Sequence, residues 1–345
     1  MNRLFLSLLT ILHACASTQA PPEVNEANPE PDENGLSTLH AGEVQTVREI
    51  PMEHTSEAIA TVAKSLSSQV DSILPPLQVL SECHALARAH EDVLEAEIGR
   101  TESGHPIKAY EFGHGQTHVL LYAFPDPGEA VGGTTILSLL HGLVNGNEHL
   151  LSLDVTWHFI PCLNLDDQPD GGRTLSAVFR DPRVREVDWC LSNPRSETTA
   201  LLDYAANISP AFTFPLHDEY HSRESIPLYV IVCEPLDSAM PERIRTCMQS
   251  FGLLWQEENP HEVMGTGFNV LSDLAGAEYA NSTFSILEKY GQVASCEVSQ
   301  QEGVSAPALV AAQMSFGLIM LDAILQKQAM RTEPAAAPDV DKPRR

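Results

Sequence analysis

The sequence predicts an α/β protein with a mainly parallel mixed β-sheet and helices on both faces. Short apolar runs alternate along the chain with segments whose apolar residues recur at helical spacing. Strands that alternate with helices form mainly parallel sheets, because each helix crosses over one face of the sheet. The chain has 345 residues, of which 43% are hydrophobic, so it is long enough to bury one large core.

The elements follow in order from these patterns. A helix is expected over 56–74, where apolar residues keep the helical period until Pro75 and Pro76 end it. A second helix is expected over 79–89, and strands and helices alternate after it. The predicted strands are 107–112, 118–124, 155–163, 211–216, 228–233 and 293–298. The predicted helices are 134–144, 196–206, 241–253, 283–290 and 306–328.

The first twenty residues resemble an export signal. Arg3 precedes an apolar run that is too short to span a bilayer. The run ends in Leu-His-Ala-Cys, which resembles a bacterial lipobox with Cys15 as the lipidated residue. Cleavage near Ala20 and a plain N-terminal extension are the alternatives. With an export signal, we expect a periplasmic or cell-envelope protein that carries a lipid anchor at Cys15 and has no other membrane span.

Composition sets the boundaries of the predicted domain. Residues 21–45 are acidic and rich in proline, which indicates a disordered linker. Residues 46–328 contain the predicted helices and strands, and 329–345 are expected to form a disordered tail.

Charge and cysteine usage exclude several classes of function. The chain has 47 acidic and 20 basic residues, a formal net charge of -27, whereas a nucleic-acid-binding protein needs clustered Lys and Arg. The seven cysteines form no C-x-x-C pair, so a structural zinc site or a thioredoxin-like motif has no support.

Polar residues occur at the ends of four predicted strands. They are Asp126 and Glu129 after 118–124, Asn164 after 155–163, His217 after 211–216, and Glu297 within 293–298. Ligands of such sheets bind beyond the C-terminal ends of the strands, so we expect these side chains to converge. Three oxygen or nitrogen ligands and one open position are typical of a catalytic zinc.

The motifs resemble, in order, those of the zinc carboxypeptidases of the carboxypeptidase A type. Residues 98–107 (IGRTESGHPI) are similar to the family's opening segment, and 120–132 (LLYAFPDPGEAVG) to its first metal segment, H-x-x-E. The later counterparts are 159–166 (FIPCLNLD), Val187-Asp188, Glu197-Thr198, 216–218 and 295–297. The resemblance therefore covers residues 98–297 and implies the family's α/β fold.

The resemblance implies a role for four of these five strand-end residues. Asp126, Glu129 and His217, hereafter the ligand triad, correspond to the residues that hold zinc in the family. Glu297 corresponds to the general base that takes a proton from the attacking water.

One ligand differs from the family pattern, because Asp126 stands where the first histidine is usual. Asp is an acceptable zinc ligand, but the exchange removes one unit of positive charge from the site. That change favours harder cations, so manganese is conceivable beside zinc. Loss of the metal with retention of the fold is the alternative.

The resemblance also implies residues that bind substrate or stabilise the oxyanion, and for one of these roles several residues are candidates. Arg180 corresponds to the arginine that stabilises the oxyanion, with Arg173 and Arg183 as alternatives. Tyr279 corresponds to a tyrosine that closes over substrate. The family's Asn-Arg pair, which grips the terminal carboxylate of a peptide, is missing, and Arg195 is the expected substitute.

Three functions are compatible with these residues. The first is a metal-dependent hydrolase of an amide bond, a carboxypeptidase or amidase that acts on short peptides, cell-wall peptides among them. The second is a non-catalytic envelope binding protein on the same fold. The third is a deacylase of N-acyl amino acids, similar to the aspartoacylase and succinylglutamate desuccinylase branch. No G-x-S-x-G motif occurs, so a serine hydrolase has no support.

Overall fold

A computed structural model describes residues 55–126, 128–168, 194–219, 229–232, 236–253, 255, 267–270, 282–299 and 303–332. The strands in these ranges are β1 Val93–Arg100, β2 Pro106–Phe112, β3 Thr117–Ala123, β4 Val155–Ile160, β5 Phe212–Glu219, β6 Tyr229–Val232, β7 Gly267–Val270 and β8 Gln292–Ser299. The helices are α1 Ser56–Ser67, α2 Pro76–Ala89, α3 Val131–Val144, α4 Glu148–Leu151, α5 Ser196–Ile208, α6 Met240–Gln249, α7 Thr283–Leu287 and α8 Ala306–Thr332.

The eight strands form one sheet in the order β1-β2-β4-β3-β5-β8-β6-β7. β3 pairs in parallel with β4 and β5, β5 pairs in parallel with β8, and β6 with β7. The three remaining pairs, β1 with β2, β2 with β4 and β6 with β8, are antiparallel. The predicted mainly parallel mixed sheet is therefore confirmed.

Both faces of the sheet are covered by helices, as predicted. Successive side chains of a strand point to opposite faces, so Leu121 joins one core while Leu120 and Tyr122 join the other. The larger core contains residues of α1, α2, α3, α6 and α8. The smaller core contains residues of α5 and α7.

The closing helix α8 is a core element. It is long and apolar enough to span a membrane by length and composition, yet 89% of its apolar window is buried inside the protein. A helix that is apolar on all sides is expected in the middle of a large core. It runs to Thr332, four residues beyond the predicted end at Gln328.

The first helix is shorter than predicted and ends at Ser67 instead of 74. The Ser68 hydroxyl donates a hydrogen bond to the Ser65 carbonyl (2.7 Å) at the helix end. Farther along, the Leu74 N–H donates to Thr134 Oγ1 (2.9 Å), which ties the extended segment to α3. This tertiary contact outweighs the helical spacing of the apolar residues between 68 and 74.

Candidate active site

The candidate site lies at the edge of the sheet where the parallel strands β3, β5 and β8 end. The segment between β3 and α3 carries Asp126 and Glu129, and it leaves the sheet sharply, with positive φ at Phe124 (54°) and Gly128 (83°). β5 and β8 pair in a register that sets His217 opposite Glu297. The parallel topology thus brings the three segments to one edge.

The three residues of the ligand triad converge on one point. His217 Nδ1 lies 2.9 Å from Glu129 Oε2 and 3.7 Å from Asp126 Oδ2. All three candidate ligand atoms lie within 4.8 Å of one another. Glu297 Oε1 is 3.6 Å from the same imidazole nitrogen. The structure therefore brings together four of the five strand-end residues expected to converge. The fifth, Asn164, donates a hydrogen bond through Nδ2 to Asp167 Oδ2 (2.7 Å).

The charge balance of the site favours a cation. Three carboxylates surround one imidazole, and Glu129 Oε2 is buried without a hydrogen bond in the described part of the chain, although His217 Nδ1 is 2.9 Å away. Burial raises the pKa of Glu129 well above its usual value, and Asp126 and Glu297 raise it further, while His217 opposes the rise. A divalent ion would offset the repulsion among the carboxylates, and oxygen and imidazole ligands suit zinc or manganese. These residues fit the metal that the sequence resemblance implies.

The backbone near the site is fixed by two buried side chains. Asp218 Oδ2 accepts a hydrogen bond from the Val131 N–H (2.7 Å), which joins β5 to the first residue of α3. Gln313 of α8 donates through Nε2 to the His217 carbonyl (2.7 Å) and accepts through Oε1 from Thr135 Oγ1 (2.8 Å). No sequence pattern predicts this role of Gln313, because its main partner is a backbone carbonyl.

Arg195, the expected substitute for the missing Asn-Arg pair, lies among buried carboxylates. The side chain is 3% exposed and contacts two fully buried carboxylates. Its NH1 donates to Asp167 Oδ2, and its NH2 lies 3.2 Å from Glu197 Oε1. These ion pairs hold the segment after β4 against the start of α5. The environment favours a structural role over the predicted binding of a substrate carboxylate.

The remaining predicted site residues lie outside the described ranges. They are Arg180, Tyr279 and the alternatives Arg173 and Arg183. Their roles in oxyanion stabilisation and substrate closure stay predictions.

Solved structures with a similar fold include proteins that are assigned as metallopeptidases. One protein of Shewanella denitrificans OS217, assigned as a metallopeptidase, has a TM-score of 0.53 and 16% identity, over 75% of this chain and 92% of that chain. Another, from Shewanella baltica OS155 and assigned likewise, has a TM-score of 0.52 and 15% identity, over 75% and 93%. Bovine thrombin-activatable fibrinolysis inhibitor, solved with tick carboxypeptidase inhibitor, has a TM-score of 0.50 and 11% identity, over 76% and 99%.

No protein-family model and no curated protein matches the sequence. Because the structural similarities are at 11–16% identity, they show the fold alone. The fold is zinc-carboxypeptidase-like, as the order of the sequence motifs implied.

Proposed function

We propose that the protein is a metal-dependent hydrolase of amide bonds. One observation carries the proposal: the ligand atoms of Asp126, Glu129 and His217 meet at the C-terminal edge of the parallel strands. A fourth residue, Glu297, lies beside them, with its Oε1 3.6 Å from His217 Nδ1.

The residues of the site divide into two chemical roles. The ligand triad would hold the ion, which when bound supplies a Lewis acid and acidifies a water molecule. Glu297 is placed to accept a proton from the attacking water and to deliver it to the leaving amine. Gln313 and Asp218 keep the ligand-bearing backbone in place while the proton moves.

For the substrate, we propose a short peptide or an acyl amino acid. The export-like segment at the N-terminus supports a periplasmic or envelope location, where cell-wall peptides would be accessible. Oxyanion stabilisation by Arg180 and closure by Tyr279 belong to the same proposal and rest on the sequence resemblance.

A second candidate, the N-acyl-amino-acid deacylase, is favoured by the contacts of Arg195. Asp167 and Glu197 already engage this guanidinium, so it is poorly placed to select the terminal carboxylate of a peptide. Activity on small acyl amino acids but not on peptides would single out the deacylase.

The decisive variant is Glu297→Gln, with Glu57→Gln on the exposed side of α1 as a matched control. Metal-free protein is reconstituted with zinc or manganese and assayed on peptides and acyl amino acids. Loss of the general base should lower kcat by about 10²–10⁴-fold while metal binding persists.

Two results separate the alternatives. Wild-type protein that binds metal but hydrolyses neither substrate class would indicate the non-catalytic binding protein. Full activity in Glu297→Gln would show that Glu297 is not the general base.

A further inference from the structure

One buried amide holds the segment that carries two of the three candidate ligands. Gln168 follows β4 and is 1% exposed. Its Nε2 donates a hydrogen bond to the Asp126 carbonyl (3.0 Å), and its Oε1 accepts one from the Gly128 N–H (2.9 Å). The same planar group thus engages the backbone two residues apart.

Few side chains can make this pair of bonds. A primary amide offers a donor and an acceptor at once, whereas a carboxylate only accepts and an ammonium only donates. Asparagine carries the same amide on a side chain one methylene shorter, so its amide would not reach both backbone groups. The contact therefore depends on the identity of Gln168.

The backbone around Gln168 is held by its own hydrogen bonds. The Gln168 N–H donates to the Leu165 carbonyl (3.1 Å). The preceding residue, Asp167, accepts from Asn164 Nδ2 (2.7 Å) and from Arg195. Buried polar groups that satisfy one another form rigid networks. The ion pair around Arg195 therefore supports the position of Gln168.

The ligand segment is anchored on both sides of Glu129. Gln168 binds the backbone in front of this residue, at Asp126 and Gly128. Behind it, Asp218 accepts from the Val131 N–H. Asp218 directly follows His217 in β5. The second hydrogen bond therefore ties the ligand segment to the strand that carries the third ligand.

We propose that Gln168 is a positioning residue for the metal centre, which fixes Asp126 and Glu129 relative to His217 through the backbone. The inference rests on the proposed function, since it requires that the ligand triad binds a divalent ion. Ligand geometry must be held to within about 0.5 Å, and residues that orient ligands typically contribute about 10–100-fold to metal affinity.

The test uses Gln168→Met, which keeps most of the side-chain volume and removes both hydrogen bonds. The matched control is Gln328→Met, because Gln328 accepts from Thr117 Oγ1 (3.0 Å) at the start of β3, away from the ligand segment. Affinities of the metal-free proteins for zinc and manganese are measured by isothermal titration calorimetry, and the metal-free Tm by calorimetry.

We expect Gln168→Met to bind both ions about 10–100-fold more weakly than the wild type. The control should keep the wild-type affinity. A merely structural role would lower the metal-free Tm without changing the affinity, so wild-type affinity in Gln168→Met overturns the inference and leaves the hydrolase proposal standing. Wild-type protein that binds neither ion overturns both.

A second variant, Gln168→Asn, tests the inference if Gln168→Met folds poorly. Gln168→Asn keeps a polar amide that can reach at most one of the two backbone groups, so it should also bind the ions more weakly. Wild-type affinity in this variant contradicts the inference in the same way.

Discussion

Replacement of Arg195 by methionine tests whether this residue is structural. Methionine keeps the apolar length of the side chain and removes its positive charge. The change leaves Asp167 and Glu197, both 0% exposed, without the guanidinium that contacts them. Burial already raises the pKa of Glu197, and Arg195 opposes that rise.

The expected loss of stability is large. Removal of one partner from a buried ion pair typically costs about 3–5 kcal/mol, because an uncompensated charge remains in the interior. Arg100→Met is the matched control. Arg100 NH2 lies 2.7 Å from Glu97 Oε1, and the two side chains are 59% and 35% exposed, so solvent screens this pair. The control should therefore lose about 1 kcal/mol or less.

Urea unfolding of the two variants and the wild type measures these differences, provided that the m-values agree. The deficit of Arg195→Met should be smaller at pH 5 than at pH 8, since protonation of Glu197 removes one uncompensated charge. A variant with wild-type stability and a raised KM would refute the structural role and restore substrate binding by Arg195.

Two further predictions concern buried residues of the core. His158 is buried, with Nε2 2.8 Å from His118 Nδ1, and burial, followed by His118, lowers its pKa to about 4. The unfolded chain therefore binds a proton that the folded chain does not, so wild-type stability should fall by up to about 3 kcal/mol as the pH falls from about 6.5 to 4. His158→Gln should lose this part of the pH dependence, and equal slopes in the two proteins would contradict the reasoning. A Cβ on Gly132 would lie 2.6 Å from Leu216 Cβ, so Gly132→Ala should push α3 from β5, cost about 1–3 kcal/mol and weaken metal binding. Unchanged Tm and metal affinity would show that the helix adapts.

The sequence predicts the centre of the sheet better than its edge. β3, β5 and β8 are apolar runs because both of their faces are buried. The edge strand β1 is not predicted. Its Leu94 is 56% exposed, and Glu95 and Glu97 form ion pairs with Lys108 of the neighbouring strand β2. Charged residues on an edge strand blur the alternation that identifies a strand.

At the site, the sequence predicts the candidate ligands but not the residues that hold them in place. Asp126, Glu129 and His217 are predictable because the ends of parallel strands converge. Gln168 and Gln313 are not, because their principal partners are backbone groups, which no side-chain pattern shows.

Proximity in sequence does not show which groups Arg195 contacts. Arg195 is near the expected Asn-Arg position in the chain, yet its partner Asp167 lies 28 residues away in sequence. Only the fold reveals that this guanidinium is already engaged.

The most direct test of the account is the metal content of purified protein, measured by inductively coupled plasma mass spectrometry after exposure to zinc or manganese and removal of excess ion. The wild type and Asp203→Ala, a change on the exposed side of α5, should retain one divalent ion per chain, and Asp126→Ala and His217→Ala should lose it. Wild-type protein without metal, or full occupancy in either ligand variant, would contradict a metal centre formed by Asp126, Glu129 and His217.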